Sequence, residues 1–249
     1  MKHKNLINYS FIIFRLGFIS AIALNLNCGI GGLRGEKSFV RTPAKTETEL
    51  VRVNLLYGEV KNLYGVNIGV INAVKDRLIG VQVGGVNFSD GKTYGAQLSL
   101  YNEAKNGGFT VQAGGINKIE ETGAGGLQVG LYNKAVNGGY FITAGIYNKG
   151  SSGATIGLIN NEGLGINVGG FNYGYGLNLG LVNSGKGLSI GAINIGEDGN
   201  FQIGVLNFCS EGPFPIMIGI NYCSKPASPQ QTEPKPAETK VDRKVAPAK

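Results

Sequence analysis

The chain is poor in the residues that usually carry chemistry. It has a single histidine, His3, and that lies in a leader expected to be removed, so the mature protein has no imidazole for general-base work or metal binding. Its three cysteines are scattered at 28, 209 and 223, and no clustered set of metal ligands exists. Acid–base work would fall to carboxylates, yet Glu120 and Glu121 are neighbours on a connection, as are Glu197 and Asp198, and such neighbours read as a solvated turn. Strings resembling GxGxxG abound, but none opens a helix, so no phosphate loop follows from them. The expectation is no catalysis, no cofactor and no metal.

Long apolar runs are also missing. The longest, Leu16 to Leu26, follows a basic head of Lys2, His3 and Lys4 with Arg15, and it has the length of an export signal rather than of a membrane span. Charge of one sign is not concentrated either. The net +7 falls to +4 once Lys2, Lys4 and Arg15 leave with the signal, and that remainder is spread too thinly for a nucleic-acid surface. No nucleic-acid partner is expected.

What the chain does have is repetition. The unit GLQVGLYN (Gly126 to Asn133) follows a template of small, apolar, polar, apolar, Gly, apolar, apolar, Asn, and ten further segments between Gly65 and Asn207 keep it. Each closes on asparagine: Asn72, Asn87, Asn102, Asn117, Asn133, Asn148, Asn160, Asn172, Asn183, Asn194 and Asn207, at steps of 15, 15, 15, 16, 15, 12, 12, 11, 11 and 13 residues. Val51 to Tyr64 is a degenerate lead-in unit and Pro215 to Asn221 a shortened final one. Within the eleven units no Asp, Glu, Lys or Arg occurs; ions such as Lys75, Asp90, Glu103, Lys118 and Lys186 all sit in the connections.

Alternation with a period of two places neighbouring side chains on opposite faces, which is a strand pattern. Two glycines per unit would penalise a helix by roughly 1 kcal/mol each. The chain is therefore expected to be all-β, with about twelve short strands. Two architectures fit. Asp90-Gly91, Asn106-Gly107, Asn137-Gly138 and Asp198-Gly199 are hairpin signals, and favour an antiparallel meander closed into a β-barrel, its uncharged apolar face outward and its Gly/Gln/Asn face inward. Connections that do not alternate in length favour a parallel β-solenoid with an apolar interior and an asparagine ladder at a corner. The barrel is the expected fold. The seventh position is apolar in every copy and breaks strict alternation, so the chain either bulges at the fifth-position glycine or turns a corner there. For the asparagines, the alternative to a ladder is a turn-former tolerant of left-handed backbone.

The boundaries follow from composition. Residues 1–27 read as a signal peptide, 28–49 as a lipidated N-terminus and tether, 50–223 as the β-repeat domain and 224–249 as a disordered tail rich in Pro, Lys and Glu. Leu24 to Cys28 (LNLNC) resembles a bacterial lipobox, with Asn27 where Ala or Gly is commoner, so Cys28 is the expected lipidation site. Cys209 and Cys223, flanking Pro213 and Pro215, read either as a disulfide clipping the last strand or as two buried thiols.

A lipobox followed by tandem GLQVGLYN, GLNLGLVN and FQIGVLN units resembles the surface-repeat lipoproteins of Leptospira and related bacteria, loosely grouped as PPE-like repeat proteins. The resemblance covers about Leu50 to Tyr222 and implies an exported or outer-membrane protein without an assigned reaction. The functional expectation is a lipid-anchored surface or outer-membrane protein with a structural or contact role. Its expected partners are the membrane, through the N-terminal lipid, and host or envelope proteins. The alternative is a pore or small-molecule carrier formed by the barrel.

Overall fold

The computed structural model describes residues 28–31, 38–42, 47–136, 140–210 and 214–224. The expected signal at 1–27, Asn137-Gly138 and nearly all of the 224–249 tail lie outside the described residues. Extended chain dominates: β1 (Cys28–Gly31), β2 (Ser38–Thr42), β3 (Thr48–Ala135), β4 (Tyr140–Lys149), β5 (Ser152–Cys209) and β6 (Ile216–Cys223), with no helix among the described residues. They form one sheet in the order β2-β1-β3-β4-β5-β6.

The fold is all-β, as the alternation predicts, but β1, β3, β4 and β5 pair in parallel and the sheet does not close into a barrel. β3 and β5 are not straight. Each circles the same axis several times, one repeat per coil, and successive coils stack in register. Gln128 of β3 pairs with Thr143 of β4, fifteen residues on, and Thr143 pairs in parallel with Thr155 of β5, twelve on. The antiparallel meander is thus corrected to the solenoid. The reason lies in the side chains: only parallel, in-register stacking sets each closing asparagine directly on the next. Asp90-Gly91, Asn106-Gly107 and Asp198-Gly199 mark bends of a coil instead of hairpin reversals.

The interior is polar and the apolar side chains face out. The facing is the one expected of the barrel, and it overturns only the apolar interior expected of a solenoid. All eleven closing asparagines are fully buried, as are Gln82, Gln97, Gln112, Gln128 and Gln202 at the third position. Leu100, Leu131, Leu181 and Val205 at the sixth position are 77%, 63%, 65% and 65% exposed. The corner foreseen at the fifth-position glycine is what reconciles the pattern. A Cβ on Gly130 would meet the carbonyl of Gly114 and come within 2.6 Å of Asn117 Nδ2, so this position points inward into the ladder. The chain folds tightly around the asparagine, and positions six and seven both emerge outside.

Connection length sets coil width. The wide fifteen-residue coils enclose a little apolar filling, Val60, Leu63, Val74 and Leu78 in one cluster and Ala104, Ile119 and Ala135 in another. In the narrow coils the equivalent column is glycine: Gly174 sits against the carbonyl of Gly163, and Gly185 against that of Gly174, with no room for a side chain. The change falls at Gly150, which has φ 71° and donates its backbone N–H to Asn161 O at 2.9 Å.

The two ends are finished differently from the middle. β1 adds a parallel strand before the first coil, Cys28 opposite Val51, and β2 pairs antiparallel with β1, so part of the segment expected as tether is strand. β6 returns antiparallel against the last coil, with Asn200 opposite Cys223. A disulfide joins Cys209 to Cys223, Cα to Cα 5.4 Å, tying the last coil to the returning strand.

Candidate functional site

Function here has to be sought on a surface that an unusual interior holds in place. The asparagine ladder runs without a break. Asn54 Nδ2 donates to Asn72 Oδ1 at 2.9 Å, Asn72 to Asn87 at 2.9 Å, Asn87 to Asn102 at 3.0 Å, and so on to Asn194 and Asn207 at 2.8 Å. From Asn72 to Asn194 each Nδ2 also donates to the fourth-position carbonyl of the following coil, as Asn133 does to Ala144 O at 3.0 Å, whereas Asn54 Nδ2 donates to Asn67 Oδ1 at 2.8 Å. A carbonyl can only accept, so the bond to it fixes which end of the amide carries the hydrogens. The donors therefore all point toward the C-terminal end. None of these asparagines has positive φ; the one described non-glycine residue that does is Glu162, at 58°.

A second ladder fills the other half of the wide coils. Gln97 donates to Gln82 at 2.9 Å, Gln112 to Gln97 at 2.8 Å and Gln128 to Gln112 at 2.9 Å, opposite in sense to the asparagines. Each glutamine reaches across the coil to the carbonyl six residues on; Gln97 finds Glu103 O at 3.3 Å. The ladder stops where Thr143 replaces glutamine. The shorter side chain leaves Gln128 Oε1 buried with no donor among the described residues.

The first rung is started by a cation. Arg52 Nε donates to Asn54 Oδ1 at 2.8 Å, and its Nη1 lies 3.0 Å from both carboxylate oxygens of Glu49, the pair being 1% and 0% exposed. The sequence reading did not single out this buried pair. Its trace was the lead-in VRVN, where alternation puts Arg52 in the same inward column as the polar third positions.

Outside, the surface divides into a wall and an edge. The wall is made by positions two, four, six and seven of every unit. The edge is made by the connections, where ions pair from coil to coil: Lys75 with Asp90 at 3.1 Å, Lys105 with Asp90 at 2.8 Å, Lys118 with Glu103 at 3.4 Å and Lys149 with Glu162 at 3.3 Å. Such exposed pairs add little stability singly. The hydrogen bond from Lys105, with help from Lys75, holds the Asp90 carboxyl below the usual range. Tyrosines straddle the boundary. The Tyr101 ring lies at the wall and its hydroxyl donates to Glu103 Oε2 at 2.7 Å; burial, reinforced by that carboxylate, pushes the phenol up to about 12. Tyr132 and Tyr147 stack with centroids 5.4 Å apart, and Tyr147 accepts a bond from Asn161 at 3.1 Å.

Of the residues singled out from sequence, the eleven asparagines form one column, Cys209 and Cys223 meet at the far end, and Cys28 lies in β1 beside Val51. No group of three or more His, Cys, Asp or Glu among the described residues is placed to hold a metal ion. An open recess at the change in coil width is lined by Lys134, Val136, Lys149, Gly150 and Glu162. Comparison of the chain with protein-family models, curated proteins and solved structures gave no match.

Proposed function

We propose that this chain is a lipid-anchored protein of the cell surface or outer membrane that works by contact, its solenoid serving as a rigid stave that presents the apolar wall. The observation that carries the reading is the exposed, ion-free wall. A run of apolar side chains kept outside while amides fill the inside is a costly arrangement for a protein that meets only water. The lipobox-like LNLNC at Leu24 to Cys28 and the resemblance to spirochaetal surface-repeat lipoproteins support an envelope location. The pore alternative depended on a closed barrel with a lumen. The coils enclose hydrogen-bonded amides instead, so nothing favours it.

The test joins chemistry to topology. Mass spectrometry of the mature protein is expected to find an acylated Cys28 at the N-terminus, and protease added to intact cells is expected to remove the repeat domain. An unmodified N-terminus, or a domain protected until the outer membrane is broken, would falsify surface display through a lipid anchor.

A further inference from the structure

The wall has dimensions, borders and chemistry that identify what covers it. Eleven coils at the roughly 4.8 Å spacing of paired strands make a continuous apolar strip about 53 Å long. It is bent around the corner at the fifth-position glycine, so it is convex. A second rigid copy could cover one side of that bend but not both, whereas a fluid layer conforms to it.

Its borders are aromatic on both sides. Along one run Tyr101, Tyr132 and Tyr147, at the seventh position; along the other stand Tyr94, Phe109 and Tyr175, immediately before the first position and 46%, 59% and 48% exposed. Beyond these flanks lies the edge of paired lysines and carboxylates. Apolar strip, tyrosine margin and charged rim is the order in which a protein meets acyl chains, headgroups and water, because a tyrosine ring has an apolar body and a polar tip. The backbone suits this environment as well. Coil-to-coil pairing leaves no open strand edge along the length of the wall, and unpaired backbone groups are what lipid does not tolerate.

We propose that the solenoid lies along a bilayer surface with its wall in the acyl boundary, its tyrosines at headgroup depth and its charged edge in water. This deepens the contact role above by naming lipid as the partner, yet it rests on the wall rather than on the anchor. The depth is that of an interfacial element, roughly 5–10 Å, not that of a span.

The protein has no tryptophan, so a single one reports without background. The chain carrying Cys28→Ala, which cannot be acylated, is prepared with Leu131→Trp on the wall or Lys105→Trp on the edge and mixed with phosphatidylcholine vesicles whose acyl chains are brominated or plain. Leu131→Trp is expected to shift to the blue and to be quenched by the brominated chains, and Lys105→Trp to remain solvent-like. Leu100→Glu and Leu131→Glu are each expected to lower co-flotation about tenfold, with circular dichroism confirming an intact sheet. The tryptophan pair gives the same answer without a new charge should either glutamate variant fail to fold. Absence of flotation, equal quenching at both positions, or a blue shift that follows protein concentration without vesicles each overturns lipid as the occupant, the last in favour of a second copy. Because Cys28 is absent from the experiment, failure here leaves the acylation result standing, and failure of acylation leaves this one standing.

Discussion

Replacing Asn133 by alanine tests whether the protein is built with its polar residues inside. Asn133 is fully buried, accepts from Asn117 at 2.8 Å, and donates to Asn148 Oδ1 at 2.9 Å and Ala144 O at 3.0 Å. Its removal strands one hydrogen of the Asn117 amide and the Asn148 oxygen, two buried groups at about 1–3 kcal/mol each, so Asn133→Ala should cost about 2–6 kcal/mol. Leu131, two residues earlier, is 63% exposed, and Leu131→Ala should change stability by less than about 0.5 kcal/mol. In a solenoid with an apolar core the order reverses, since a buried Leu→Ala costs about 2–5 kcal/mol. Asn133→Asp adds a pH signature. The carboxylate keeps the shape but sets oxygens against the Asn148 oxygen and the Ala144 carbonyl, and burial with two facing acceptors raises its folded pKa above the unfolded value of about 3.9. A raised pKa gives a contribution that is whole below about pH 3.9 and lost as pH rises through the folded value, so this variant should be more stable in acid than at neutrality. Urea unfolding followed by circular dichroism, across pH, measures all three variants. A cheap Asn133→Ala beside a costly Leu131→Ala refutes the inside-out assignment.

Three further outcomes are expected. Gly130→Ala, whose Cβ would press on the Gly114 carbonyl and the Asn117 amide, should destabilise by about 1–3 kcal/mol in the same urea assay. Reducing Cys209–Cys223, which closes a separation of 14 residues, should cost about 3 kcal/mol, and hydrogen exchange should show the loosening confined to roughly 200–223, because coils interact mainly with their neighbours. Since the Tyr101 phenol is raised from 10 to about 12, its contribution is whole below pH 10 and fades as pH climbs toward 12; ultraviolet titration should find a late-ionising fraction that Tyr101→Phe reduces, and burial with the Glu59 carboxylate also raises Tyr57, which should ionise late as well.

The repeat, its strand character and the asparagine column were legible in the sequence because all three are periodic. Which way the ribbon faced was tied to the architecture: the expected barrel put the Gly/Gln/Asn face inside, as found, and the alternative solenoid put the apolar face there. Alternation shows that Leu131 and Gln128 point to opposite sides without saying which side is inside, and transfer energies favour the leucine. What decides otherwise is cooperative: an amide inside one coil is satisfied only by an identical amide in the next, and the eleven identical asparagines held that information only once parallel stacking was known. The Asp-Gly pairs misled because a bend in a coil and a hairpin reversal use the same residues. Arg52 was visible as a charge in an inward column, but its partner Glu49 precedes the alternation, and the pair emerges only in three dimensions.

The uniform direction of the asparagine amides makes the molecule modular in a specific sense. Every coil offers the same socket below and the same plug above, a guanidinium fills the lowest socket, and the Gly219 carbonyl receives the uppermost plug at 3.0 Å. A gene that gains or drops one whole turn leaves both terminators matched, so lineages can adjust the reach of the stave by simple duplication while its two end pieces stay as they are.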